Sequence, residues 1–265
     1  MSRAAPCLSL LLLTEDAGAD SFETFRHVVK DLLKQVDEYV QTHERKIVFE
    51  PMRRKDVLQL VQANNWKSKG SRYLRNRVDL ITLMAIQLEL PNGWVFFHFD
   101  GDRRWSDRAS SENRQKFKEL IWEPVRLKIQ ERLVGRTPEM ATRTEEVKKY
   151  AEARMTRLKT VVPFYSIEAW LFQNTREALR LSQERYGGRD VEQFEAWAQD
   201  RTALDEVLKP KEAVCLGAAH NLDLASNGFP TREVRAVGKS FEAVVQSLSQ
   251  DAELRQALAQ TYAYG

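Results

Sequence analysis

"WVFFHFDGDRRWSDR", residues 94–108, decides how the rest of the chain is read. An apolar run ends abruptly in Asp100 and Asp102, with Gly101 between them, and Arg103, Arg104 and Arg108 follow. A run this apolar suits a strand buried on both faces, as in a parallel sheet. Two carboxylates at its end repel each other unless a cation or a shared proton relieves them. Burying such acids also needs compensation. An Asp-x-Asp pair places both side chains on one side of an extended chain. Mg2+ is commonly held by one or two carboxylates, with waters and substrate phosphates completing its shell. The ordinary alternative is that each acid is a solvated loop residue or a helix cap.

Working outward, the chain opens in the same style. "CLSLLLL" (7–13) reads as a central strand, followed by the loop "TEDAGADS" and a helical pattern from Phe22 to Val40. "KIVFEPM" (46–52) is a second strand, stopped by Pro51. Strand–helix–strand is the unit of a parallel α/β sheet. Residues 53–90 are helical, with "KDVLQLVQ" one helix and "VDLITLMAIQLEL" the end of another. The segment "SENRQKFKELIWEPVRLKIQERL" reads as a long helix that Pro124 kinks or breaks. Residues 138–157 are helical, and "LKTVVPFYS" (158–166) is the fourth strand. "IEAWLFQNTREALRLSQERY" is a helix ended by Gly187 and Gly188. A short strand at "EAVCLGA" and a final helix near 239–260 complete the reading. The fold class expected is α/β: a parallel sheet flanked by helices, with helical insertions and a mostly helical C-terminal part. A single domain spans 1–265, with a core of about 6–185 and an extension of about 189–265, since no Pro/Ser-rich linker divides the chain.

Composition bounds the function classes. The 265 residues carry 43% hydrophobic and 30% charged residues, with a net charge of only +3, so total charge names no partner. Two cysteines, Cys7 and Cys215, belong to no metal or redox motif and fit a reducing, cytoplasmic setting. The N-terminal apolar stretch is short and is followed by Glu15 and Asp16, which reads as a first strand rather than a signal peptide. No stretch is long and apolar enough to cross a membrane. No P-loop or GxGxxG occurs, so ATP hydrolysis by this chain is not expected.

In open α/β sheets ligands bind beyond the carboxyl ends of the strands. Acids at those ends are Glu15 after the first strand, Asp100 and Asp102 after the third, and Glu168 after the fourth. Basic residues cluster upstream. Arg53, Arg54, Lys55, Lys67, Lys69, Arg72, Arg75 and Arg77 face a single acid, Asp56, with Trp66 and Tyr73 interleaved. That composition suits phosphate contact and base stacking. A solvated helix face with two core aromatics would look the same. Arg103 and Arg104 lie next to the aspartates, where they reach a phosphate or pair with the acids. His98, two residues before Asp100, reads as a buried, hydrogen-bonded core residue.

Three elements in order, "LLLLTEDAGADSFETF", "VFFHFDGDRRWSD" and "VPFYSIEAWLFQN", resemble the TOPRIM-like fold. The likeness is closest to the TOPRIM domains of OLD-type nucleases and their small stand-alone bacterial relatives. It covers the strand ends of roughly the first 175 residues. Glu168-Ala169-Trp170 matches a Glu-Ala-Trp element of the small relatives, and "GKSFEAVVQSL" (238–248) resembles their C-terminal Ser-Phe helix. The pattern departs from the family in Asp16, where glycine is usual, and in Ala19, where a second acid is usual and Asp20 follows instead. The long gap from Glu15 to Asp100 implies inserted helices.

The resemblance implies a Mg2+-dependent nuclease, with Mn2+ as a substitute. In it Glu15, Asp100 and Asp102 are catalytic, and these three with Glu168 bind metal. Lys67, Lys69, Arg72, Arg75, Arg103 and Arg104 are the expected nucleic-acid contacts. The family context implies an ATPase partner protein, a role in anti-phage defence, and the option of a homo-oligomer. The alternative is a non-catalytic TOPRIM-like subunit that binds nucleic acid or scaffolds an ATPase complex.

Overall fold

A computed structural model describes residues 7–50, 55–207, 214 and 216–262. Among them four strands form one sheet: β1 (Leu8–Thr14), β2 (Ile47–Glu50), β3 (Gly93–His98) and β4 (Leu158–Val161). The order is β2-β1-β3-β4, and every neighbouring pair is parallel. The chain is therefore α/β, with helices on both faces of a parallel sheet.

The central strands β1 and β3 bury both faces, which is why their sequences run apolar instead of alternating. Leu8, Leu10 and Leu12 join Trp94 and Phe96 in one core. Leu11 and Leu13 join Val95, Phe97 and Phe99 in the other. This is the two-residue period of a strand seen from both sides. The first core is covered by α1 (Ala19–Val36), which contributes Phe22, Phe25, Val28, Val29, Leu32 and Leu33. The second is covered by α2 (Lys55–Val61), α3 (Ser71–Glu89) and, past the short α4 (Glu112–Phe117), by α5 (Glu123–Arg136) and α6 (Thr144–Met155).

After β4 the chain is helical: α7 (Glu168–Leu171), α8 (Thr175–Arg185), α9 (Val191–Gln199), α10 (Ala218–Ser226), α11 (Thr231–Val237), α12 (Ser240–Ser249) and α13 (Ala252–Ala259). These helices do not stand apart. Leu224, Val234, Phe241, Val245, Leu254 and Leu258 belong to the same core as β1 and α1.

Of three long helices expected from periodicity, one runs on through a widened turn and two are broken, each for a local reason. The 111–133 segment holds a π-helical turn at Lys118–Trp122, with Pro124 in the first turn of α5. Proline cannot donate back along the helix, and the widened turn absorbs the loss. The 167–186 segment stops at α7 and restarts at α8, where the Asn174 side chain accepts from the Glu177 N–H at 3.2 Å. The final helix splits into α12 and α13, because Asp251 caps the second by accepting from the Leu254 N–H at 2.9 Å. The strand expected at "EAVCLGA", with Cys215, falls largely outside the described residues, as do Arg53 and Arg54.

Candidate functional site

Pairing of β1 with β3 sets Thr14 beside His98. The two acidic loops therefore leave the middle of the sheet side by side. His98 is fully buried and packs on Phe25 at 5.2 Å between ring centroids. Its Nδ1 shares a 2.9 Å hydrogen bond with Thr14 Oγ1. Asp16 Oδ2 lies 3.8 Å from the same nitrogen, and Asp100 Oδ1 lies 3.7 Å from Nε2. The imidazole is thus a core residue that also separates the carboxylates of the two loops.

Glu15 is buried, and both of its oxygens are engaged. Oε1 accepts from the Asp100 backbone N–H at 2.7 Å. Oε2 accepts from Trp66 Nε1–H at 3.1 Å and from the Lys67 ammonium at 3.3 Å. Lys67 also donates to Asn113 Oδ1 at 3.0 Å, and Asn113 Nδ2 donates to the Asp100 carbonyl at 2.8 Å. Its ammonium lies 5.3 Å from the centroid of the Trp66 ring. A short 3-10 turn, Asn65–Lys67, brings both residues in. Arg77 holds that turn by donating to the Trp66 and Ser68 carbonyls at 2.9 and 2.8 Å. The insertion between β2 and β3 thereby places a cation against the acid that ends β1.

The Asp100–Asp102 loop is fixed by its neighbours. Gly101 N–H donates to the Pro163 carbonyl at 2.8 Å. A Cβ on Gly101 would lie 2.8 Å from the Phe164 ring, so only glycine fits between the two loops. Asp102 adopts the left-handed conformation, φ 54°, which is uncommon outside glycine and mildly favoured by Asp and Asn. Its Oδ1 is buried without a hydrogen-bond partner among the described residues.

Glu168, 5% exposed, begins α7 and accepts from Asn221 Nδ2 on α10 at 2.8 Å. It lines a cavity of about 250 Å3 with Asp16, Ser21, Thr24 and Asn221. Asp16 rather than Glu15 opens onto this cavity. Of the four acids predicted, Glu15 and Asp100 are joined by a hydrogen bond, Asp102 follows in the same loop, and Glu168 shares a cavity with Asp16 of the first loop.

The predicted phosphate contacts divide. Lys67 is committed to Glu15 and Asn113, as described. Lys69, Arg72 and Arg75 are exposed. Arg103 donates to the Asp102 carbonyl at 3.3 Å, while Arg104 pairs with Asp107 at 3.4 Å. Arg108, downstream, lies over the Trp105 ring at 4.4 Å.

Sequence reasoning missed Asp16, Asn113 and Asn221. Asp16 was legible only as a departure from the family pattern. The asparagines come from helices far along the chain and carry no local signal. Ser240 completes another long-range link: Trp170 Nε1–H donates to its Oγ at 2.7 Å, and Ser240 N–H and Oγ–H donate to Asp205 Oδ2 at 2.9 and 2.7 Å. Trp170 and Phe241 rings meet edge-on at 5.2 Å. The Glu-Ala-Trp and Ser-Phe elements of the sequence are thus in direct contact.

Among the described residues no group of three or more His, Cys, Asp or Glu side chains converges closely enough to hold a metal ion. A Mg2+ site needs fewer protein ligands, one or two carboxylates with waters and phosphates. Asp100 and Asp102 are the two carboxylates of one loop, and the buried Asp102 Oδ1 has no hydrogen-bond partner among the described residues. Compared with protein-family models, with curated proteins and with solved structures, the chain has no match in any of the three.

Proposed function

We propose that this chain is a metal-dependent phosphodiester hydrolase acting on DNA or RNA. One observation carries the reading. Three adjacent parallel strands, β1, β3 and β4, each lead into a segment bearing buried or half-buried acids on the same edge of the sheet. That edge is where open α/β sheets bind ligands.

In this reading Asp100 and Asp102 hold Mg2+, or Mn2+ in its place. A bound Mg2+ supplies Lewis-acid polarisation of a phosphoryl oxygen and charge stabilisation at the leaving oxygen. Glu15 fixes the Asp100 backbone and holds Lys67, and water serves as nucleophile. Lys69, Arg72, Arg75, Arg103 and Arg104 bring the phosphate chain to the edge by charge. The TOPRIM resemblance extends the proposal to a cytoplasmic ATPase partner and anti-phage defence.

A second reading is favoured by Glu15 itself. With three donors on its carboxylate, it is a structural tie and not a poised acid or base. A chain built so would bind nucleic acid or scaffold an ATPase complex without cleaving. Incubation with plasmid and oligonucleotide substrates in Mg2+, Mn2+ and EDTA separates the two. Metal-dependent cleavage abolished by Asp100→Ala and by Asp102→Ala supports the hydrolase. Binding without cleavage under every metal condition supports the scaffold. Cleavage that persists at wild-type rate in both variants overturns the site.

A further inference from the structure

The hydrogen bonds around Asp100 close into a ring. Its backbone N–H donates to Glu15 Oε1 at 2.7 Å, and the other oxygen of that carboxylate accepts from the Lys67 ammonium at 3.3 Å. The ammonium donates onward to Asn113 Oδ1 at 3.0 Å, and Asn113 Nδ2–H returns to the Asp100 carbonyl at 2.8 Å. The N–H and the C=O of one residue are thus both held by side chains, which come from three separate stretches of chain. The next residue, Gly101, is tied to the Pro163 carbonyl. The Asp100 main chain is fixed on every side, while its carboxylate takes no part in the ring.

Each member can play only the part it has. An ammonium only donates and a carbonyl only accepts, so one orientation of the Asn113 amide satisfies both. A carboxylate at 113 would face the Asp100 carbonyl with no donor. An apolar side chain at 67 would leave Asn113 Oδ1 without its donor. Asn113 is buried in the first turn of α4. Asparagine is a poor helix former, and a buried amide is costly unless it is bonded. Here both ends of the amide are spent on the ring.

The chain accepts strain to bring Lys67 in. Ala63 and Asn64, just before the 3-10 turn, are left-handed in succession, φ 53° and 63°. Asparagine tolerates this conformation, but alanine adopts it only at a cost. The surroundings hold it in place. Ala63 N–H donates to the Glu15 carbonyl at 2.9 Å, Asn65 Nδ2–H donates to the Gln59 carbonyl at 2.6 Å, and Arg77 grips the far side of the turn. Strain that is over-determined in this way gathers at functional sites. A lysine kept only for solvation would need no such support.

We propose that Lys67 and Asn113 are positioning residues: through the ring they fix the Asp100 main chain so that its carboxylate and that of Asp102 meet one divalent cation. This role rests on the reading that Asp100 and Asp102 hold Mg2+.

Charge gives the test its sign. Asn113→Asp adds a negative charge beside the site, and Lys67→Met removes a positive one. By charge alone, both changes tighten cation binding. The ring requires the opposite. Mn2+ binding by the full chain, followed by calorimetry and by electron paramagnetic resonance of free Mn2+, should weaken about 10–100-fold in each variant, as loss of an outer partner does at metal sites. Circular dichroism shows whether the variants fold. If Asn113→Asp does not, Asn113→Ala opens the same bond without new charge. Hydrogen exchange supplies a readout that needs no metal: the peptide carrying the Asp100 amide should exchange faster in the variants than in wild type. Unchanged exchange there overturns the proposal. Variants that bind Mn2+ as tightly as wild type, or more tightly, overturn it as well and leave the metal reading standing. A wild-type chain that binds no Mn2+ overturns the metal reading itself, and this role falls with it.

Discussion

Glu15 Oε1 accepts a 2.7 Å hydrogen bond from the backbone N–H of Asp100, so the acid that ends one central strand sets the backbone of the acidic loop on the next. Glu15→Ala leaves this N–H and the Trp66 indole N–H without their acceptor in a buried place, and leaves the Lys67 ammonium with Asn113 Oδ1 but no countercharge there. Loss of a buried, charge-assisted acceptor costs about 2–4 kcal/mol. Glu15→Gln keeps one carbonyl acceptor and should cost less, about 1–2 kcal/mol. Urea unfolding reads both. A loss below about 0.5 kcal/mol for the alanine variant would show that the carboxylate is not structural.

Gly101→Ala should destabilise the chain through crowding alone. The new methyl would meet Phe164 at 2.8 Å, and Phe164 is itself held edge-on by Trp105 at 5.1 Å. Overpacking of this kind costs about 1–3 kcal/mol. Pairing it with Phe164→Leu should recover part of the loss. No recovery in the double variant would place the strain elsewhere.

Ser240→Ala removes the acceptor of the Trp170 indole and one donor to Asp205 at once. A loss of about 1–3 kcal/mol is expected from the polar groups left unpaired. Trp170 emission should shift in the folded state. An unchanged spectrum and melting temperature would mean the network contributes nothing to the C-terminal packing.

His220 gives a pH signature. The ring is fully buried on α10 between Phe172 and Tyr186, with centroids 5.5 and 5.0 Å away. Burial holds its pKa below the usual 6.5, against an opposing pull from the nearby Asp223 carboxylate. The unfolded chain therefore binds the proton more readily than the folded one. Stability from this group is complete above the unfolded pKa and is lost as pH falls below it toward the folded value. His220→Leu should match wild type within about 1 kcal/mol at neutral pH and exceed it in relative stability as pH falls below about 6. Parallel acid limbs for the two proteins would refute the assignment.

For nucleic-acid binding, Lys69→Ala/Arg72→Ala is the informative pair, because Lys67 is engaged with Glu15. Affinity should drop for different sequences alike, and the salt slope should flatten by about one unit per lost contact. Lys67→Ala should lower stability as well. Unchanged affinity and slope in the pair would leave this stretch a solvated helix face.

The central strands were legible because burial on both faces writes a continuous apolar run, as in "CLSLLLL" and "WVFFHF". Helix breaks were less legible. Asn174 and Asp251 act as caps only because the chain turns there, and a periodicity that continues past them reads as one helix. Within the candidate site, the acids could be found from their place after apolar runs. Their partners could not. Trp66, Lys67, Asn113 and Asn221 reach the site from insertions and terminal helices, and only packing reveals which donor meets which carboxylate. Asp16 shows the limit most directly. It adjoins Glu15 in sequence, yet one acid turns to the insertion and the other to the cavity, which the alternation of an extended backbone allows but does not assign.

The C-terminal helices share the core of β1 and α1, and this has a consequence for biosynthesis. Glu168 receives its Asn221 partner from a segment 53 residues later, and Trp170 waits 70 residues for Ser240. While the chain is still on the ribosome, the sheet can pair and α1 can cover one face, but that core still lacks Phe241, Val245, Leu254 and Leu258. Contacts this distant form late and slowly. The Glu168 side of the acidic edge is therefore finished late, so a product truncated before α10 would carry every predicted acid and still lack the Asn221 donor that holds Glu168.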